Sequence, residues 1–217
     1  MRVVIVASGE PDAADAAWLE RADLVVAADG GAGWVDRMGH RPDLLVGDLD
    51  SAEPDLVARL EGAGTQIERH PVDKEASDTE LAIEAARSWG ATEIVLIGAL
   101  GGERLDHELA NLLLLADPSL ADTPLRVVRR GTSARVVLGG GRLELEGRDG
   151  DTVSLLPMGG DALGVTTAGL RWQLADATLR AGRSRGLSNE IVEAPASVSI
   201  DRGALLVVET AREERIP

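Results

Sequence analysis

The chain has 217 residues, 44% of them apolar, and a formal net charge of −15, which suits one large globular domain or two small ones. No basic tail offsets the acidic balance, so a nucleic-acid partner, whose phosphates need Lys and Arg, is not expected. Cysteine is absent, which removes disulfides and thiolate chemistry, and without Phe or Tyr any aromatic contact to a ligand must come from Trp or His.

The first apolar run, Val3–Val6, is too short for the core of a signal peptide and reads as a strand. No run approaches the roughly 18 residues of a membrane helix, so no membrane partner is expected and the protein is placed in the cytoplasm. Further strands are predicted at Leu24–Ala27, Leu44–Val46, Ile94–Ile97 and Arg126–Val128, with a shorter one at Gln66–Glu68. Helical segments fall between them at Ala13–Arg21, Pro54–Leu60, Thr79–Trp89 and Glu108–Leu115. This alternation predicts an α/β domain over residues 1–130, a mostly parallel sheet flanked by helices. From about Ser133 the pattern changes to short strands, Ala134–Leu138, Arg142–Leu145, Thr152–Pro157, Val198–Ile200 and Leu205–Val208. Turn signals at Gly139-Gly140-Gly141, Asp149-Gly150, Gly159-Gly160 and Arg202-Gly203 separate them. A small antiparallel β-sandwich domain is therefore expected over residues 131–217.

The chemistry is expected where strands end. Leu44-Leu45-Val46 runs into Gly47-Asp48-Leu49-Asp50-Ser51. If the extended backbone continues, residues two apart point the same way, and Asp48 and Asp50 aim at one point past the strand's carboxyl end. Ligands of open α/β sheets bind there. Carboxylates crowded together are relieved by a cation, and hard oxygen ligands suit Mg²⁺ bridging to phosphates. Other strands end in Ser8-Gly9, Asp29-Gly30-Gly31 and Gly98-Ala99-Leu100-Gly101-Gly102, where glycines let phosphate approach backbone N–H groups. Neither G-x-x-x-x-G-K-[S/T] nor a G-x-G-x-x-G after a strand is present, which argues against a Walker nucleotidase or an ordinary dinucleotide binder.

Two later stretches bear on the same edge. In Asp73-Lys74-Glu75-Ala76-Ser77-Asp78-Thr79-Glu80, Ser77 and Glu80 fit a capping box. Asp78 either complements the helix dipole or joins Asp48 and Asp50 around a metal, with Lys74, the one lysine among 22 basic residues, meeting phosphate. In Gly101-Gly102-Glu103-Arg104-Leu105-Asp106-His107, Asp106 can cap the following helix, and His107 shares a face with Asn111. Asn111, ahead of four leucines, either bonds to core backbone or faces a ligand beside Arg104 and His107. His40 and His70 read as surface residues, and Trp18, Trp34 and Trp89 as packing residues. Thr166–Leu174 and Ser188-Asn189 are weak signals by residue type alone, and Arg180, Arg183 and Arg185 read as a solvated loop.

Taken together and in order, these pieces resemble the thiamine pyrophosphokinase family. They are Ala28-Asp29-Gly30-Gly31; Pro42-Asp43 with Gly47-Asp48-Leu49-Asp50-Ser51; Asp73-Lys74 with Ser77-Asp78; Gly101-Gly102 with Arg104-Leu105-Asp106-His107; and Thr166-Thr167-x-Gly169-Leu170-x-Trp172 with Ser188-Asn189. Two departures stand out: Glu103 makes the Gly-Gly/Arg loop one residue longer, and Ser77 replaces a Thr. The resemblance implies transfer of the pyrophosphoryl group of ATP to the hydroxyl of thiamine, giving thiamine diphosphate and AMP. It implies Mg²⁺ on Asp48, Asp50 and Asp78, with Lys74 and Arg104 neutralising phosphate. Asp29, Gly30, Gly31, Ser77, Asp106, His107 and Asn111 would hold the nucleotide, and Trp172, Ser188 and Asn189 the thiamine. A homodimer with thiamine near the subunit interface is implied as well. Two other functions fit the same acidic machinery: a pyrophosphokinase acting on a pterin alcohol, and a non-catalytic nucleotide sensor.

Overall fold

The structure is a computed structural model and describes residues 1–212; the last five positions expected in the second domain, 213–217, lie outside the described residues. The chain divides into two compact units, one of residues 1–114 with 119–130, the other of residues 115–118 with the chain from Gly131 on.

The first unit contains β1 (Arg2–Val6), α1 (Ala16–Leu19), β2 (Leu24–Ala28), α2 (Gly31–Arg37), β3 (Leu44–Gly47), α3 (Pro54–Gly62), β4 (Gln66–Arg69), α4 (Asp78–Ser88), β5 (Glu93–Ile97), α5 (Leu105–Leu114) and β6 (Leu125–Arg129). All strand pairs are parallel, in the order β4-β3-β2-β1-β5-β6. The strands read as continuous apolar runs because helices cover the sheet and leave Val3, Val4, Ile5, Leu45, Ile94 and Leu96 without water. The order reverses at β1, which has β2 on one side and β5 on the other. A crevice at the carboxyl ends follows from that reversal.

Boundaries differ from expectation where local chemistry intervenes. The first helix shrinks to α1, preceded by a 3₁₀ turn at Ala13–Asp15 that Asp12 and Asp15 close as a capping box. Two glycines in its first turn hide α2 from a propensity reading. Helix α5 opens at Leu105, so Asp106 lies inside its first turn rather than ahead of it as a cap.

The second unit contains β7 (Thr132–Leu138), β8 (Arg142–Glu144), β9 (Thr152–Ala168), β10 (Ala177–Leu179), β11 (Asn189–Glu190), β12 (Ser197–Ser199) and β13 (Arg202–Thr210). Its pairs are antiparallel, in the order β7-β13-β9-β12-β8, with β10 and β11 also on β9. Gly159-Gly160 does not end a strand as expected: β9 runs through it for 17 residues. Its first half pairs with β13 and its last residues with β12. This one strand wraps the core of Val153, Leu155, Val165, Leu170, Ile191, Val198 and Leu205.

Candidate active site

Three carboxylates from three elements meet at the carboxyl edge of the parallel sheet. Asp29 follows β2, Asp48 follows β3 and Asp78 is the first residue of α4. One oxygen of each lies within 4.8 Å of the other two. Gly47 makes the meeting possible: a Cβ there would stand 3.0 Å from Asp78 Oδ1 and 3.2 Å from Asp29 Cβ, on a backbone with φ of +148°. Asp29 is placed by its own N–H, which donates to Val46 O at 2.8 Å, and by a left-handed backbone with φ of 46°. Asp78 is placed by the cap before it. Ser77 Oγ accepts from Glu80 N and Glu80 Oε2 accepts from Ser77 N, the expected capping box. The helix N-terminus favours the Asp78 charge.

Asp50 is not in this group, contrary to the expectation that it shares a point with Asp48. The extended backbone does not continue past β3. Leu49 turns to φ of 65° and buries its side chain in the core with Leu56 and Ala52. Asp48 is half-buried and Asp50 exposed, where it accepts from Ser51 Oγ at 3.0 Å while staying beside Asp48. Asp29, expected at the nucleotide, stands in the cluster instead.

The electrostatics follow burial. Removal from water pushes the Asp29 carboxyl above the usual range; the Ser51 hydroxyl and Gly30 N–H oppose this, and the charges of Asp78 and Asp50 add to it. Asp48 is held below that range by Lys74, whose Nζ donates to Oδ2 at 3.0 Å, and by the Asp50 N–H. Lys74 Nζ also lies 2.9 Å from Asp78 Oδ1. Burial would lower the Lys74 ammonium's pKa, but Asp78 and Asp48 outweigh it and raise the pKa. Asp29 Oδ1 and Asp78 Oδ1 are buried without an aligned hydrogen-bond donor. An all-carboxylate donor set in which Asp29 Oδ1 lacks a donor and Asp78 Oδ1 has only the Lys74 charge beside it fits a hard divalent cation such as Mg²⁺.

The rest of the edge is glycine-rich. Gly31 packs so closely on β1 that a Cβ there would fall 2.0 Å from Val6 O, and Gly30 lies beside Ser8 and Ser51. Gly102 lies over Gly9, and Gly101 packs on the guanidinium of Arg129, whose Nε has no hydrogen-bond partner. Arg129 did not stand out in the sequence, and Ser51 did only as the last residue of the Gly47–Ser51 stretch, without a role of its own. The Gly101 N–H donates to Glu108 Oε1 at 2.9 Å, an intrachain use that spacing alone did not reveal. Arg104 forks onto Asp106 through Nε at 2.9 Å and Nη2 at 2.6 Å, drawing the exposed Asp106 carboxyl down to about 2. His107 is exposed beside them. Of the two readings of Asn111, the structure shows the backbone one: its Nδ2 donates to Ala99 O at 2.9 Å and pins the turn after β5.

In the second unit Trp172 is 60% exposed, with the Arg171 guanidinium 5.8 Å from the ring centroid. Buried Asn189 holds this loop: Oδ1 accepts from Trp172 N at 3.1 Å and Nδ2 donates to Trp172 O at 2.7 Å. Ser188 adopts φ of 58° and its N–H donates to Ser154 Oγ.

Comparison with known proteins identifies the family. Residues 16–127 match the family model "Thiamin pyrophosphokinase, catalytic domain" and residues 142–205 match "Thiamin pyrophosphokinase, vitamin B1 binding domain". Thiamine pyrophosphokinase 1 of Oryza sativa subsp. japonica is 28% identical, covering 92% of this chain and 83% of its own length. The thiamine pyrophosphokinase of Bacillus subtilis (strain 168) is 24% identical, covering 79% of this chain and 80% of its own. Among solved structures, thiamin pyrophosphokinase from Geobacillus thermodenitrificans superposes with a TM-score of 0.80 at 27% identity, over 98% of this chain and 99% of that one.

Proposed function

The chain belongs to the thiamin pyrophosphokinase family and is a thiamine diphosphokinase, and we propose that Asp29, Asp48 and Asp78 hold the Mg²⁺ on which its ATP is presented. Three convergent carboxylates, with the buried Asp29 Oδ1 lacking a donor, carry this reading. Magnesium bound there would neutralise charge on the phosphate oxygens, and the remaining work falls to the chain's own groups. Lys74 and Arg104 supply positive charge to the phosphates, Arg104 by exchanging Asp106 for them. Gly30, Gly31, Asp106, His107, the helix start capped by Ser77 and the turn pinned by Asn111 frame the nucleotide. Asp50, exposed and beside Asp48 but outside the three-carboxylate group, is assigned to the thiamine hydroxyl, whose proton it accepts as the oxygen attacks the β-phosphorus and AMP departs. Trp172 stacks on a thiamine ring, while Ser188 and Asn189 fix its loop.

A thiamine acceptor is favoured over a pterin alcohol by the match of residues 142–205. Incubation with ATP, Mg²⁺ and thiamine should release AMP and thiamine diphosphate; release of ADP would instead mean transfer of one phosphate. We place the enzyme in the cytoplasm; among the described residues no helix is long and apolar enough to cross a membrane. We also propose a homodimer. Leu105, Leu109 and Leu113 form an exposed apolar row at i, i+4 and i+8 on α5, which supports a covered face. Leu109→Glu should convert a dimer to a monomer by light scattering.

A further inference from the structure

We infer that Lys74 is the resident counter-ion of the carboxylate cluster, and that its ammonium must leave Asp48 and Asp78 before a divalent cation binds there. The inference rests on the metal-site reading above. Lys74 Nζ lies 3.0 Å from Asp48 Oδ2 and 2.9 Å from Asp78 Oδ1, two members of the group whose oxygens gather within 4.8 Å. Its side chain is 14% exposed, so water screens little of the attraction or of any repulsion. The Asp78 contact is a charge contact, since Oδ1 has no aligned donor. An ammonium is a compact point charge on a flexible stem, able to swing between partners without losing its charge.

Two consequences follow. In the free protein Lys74 competes with a bare metal ion for the same carboxylate oxygens and weakens its binding. ATP phosphates offer the ammonium another set of oxygens, so nucleotide relieves the competition and raises metal affinity. By linkage, metal raises nucleotide affinity by the same factor. Lys74 thus couples the two ligands and favours loading of metal and nucleotide together.

The test is Mn²⁺ binding by electron paramagnetic resonance titration, with and without a non-hydrolysable ATP analogue, on proteins whose circular dichroism matches wild type. Lys74→Met and Lys74→Gln should each bind Mn²⁺ alone at least about tenfold more tightly than wild type, within the usual span of coupling energies. Both should also show a smaller enhancement by the analogue than wild type, since only the direct contact of metal with phosphate then remains. Unchanged or weaker Mn²⁺ binding in both variants would overturn the competition while leaving the metal site standing. Asp48→Asn separates the two failures: if it binds Mn²⁺ as wild type does, the metal-site reading falls and the inference with it.

Discussion

In the first unit the charged groups are drawn out of water and the backbone does the holding: Asp29 is 6% exposed and tied to Val46, and Asp78 is set by the Ser77 cap. In the second unit the roles are exchanged. The group proposed to meet a ligand, Trp172, is 60% exposed, and the buried polar side chain, Asn189 at 8%, spends its amide on the Trp172 backbone. A cation site gains from desolvation, because like charges packed in low dielectric are relieved only by the ion. A stacking platform gains from an open face and a fixed loop, because its partner must enter and leave. The two units therefore fail differently when changed.

The largest effect belongs to the cluster. Asp48→Asn should keep the fold and lower turnover at least about a thousandfold, roughly 4 kcal/mol in barrier, read as AMP release under saturating ATP and thiamine. Normal turnover would break the contrast at its strongest point. Asp50→Asn sharpens the division between its two neighbouring carboxylates: turnover should fall about a hundredfold, within the range of a lost general base, with Mn²⁺ affinity unchanged. A parallel loss of Mn²⁺ affinity would return Asp50 to the metal. In the second unit, Trp172→Ala should raise the thiamine KM about tenfold, about 1.4 kcal/mol, with kcat and Tm little altered. Asn189→Ala should raise KM similarly and lower Tm as well, since it leaves buried backbone groups without partners. Equal Tm for the two variants would mean that Asn189 touches substrate and does not hold the loop.

The same division explains what the sequence revealed. Strands β1, β2, β3 and β5 were legible because continuous apolar runs have few other uses, and their ends located the edge where Asp29, Asp48 and Asp78 meet. The membership of the cluster was not legible. It turns on the φ of Leu49, which leaves Asp50 exposed, and on the missing side chain of Gly47, which admits Asp29. Residue type carries no record of a single backbone reversal. Helix α2 was hidden by its own glycines, and the second half of β9 by Gly159-Gly160, where sheet pairing with β12 and β13 overrides a local turn preference. The role of Asn189 depends on a loop 17 residues away.

Ser77 gives the smallest effect and the finest test. It stands between the two behaviours, a polar group expected at the nucleotide and found to close the capping box of α4. If capping is its whole work, Ser77→Ala removes the oxygen that accepts from Glu80 N and costs about 1 kcal/mol, a Tm lower by about 2–4 °C. Asp78 then loses some of its anchoring, because it is the first residue of the helix that Ser77 caps, so metal affinity should slip by less than about threefold, well under the cost of losing a ligand. The KM for ATP should stay level. Should that KM rise about tenfold while Tm holds, the hydroxyl touches nucleotide directly, and the first unit, like the second, would present an uncommitted polar group to its substrate. Ser77→Thr, which keeps the accepting oxygen, should restore the wild-type Tm under either outcome and so separates lost capping from a misfolded loop.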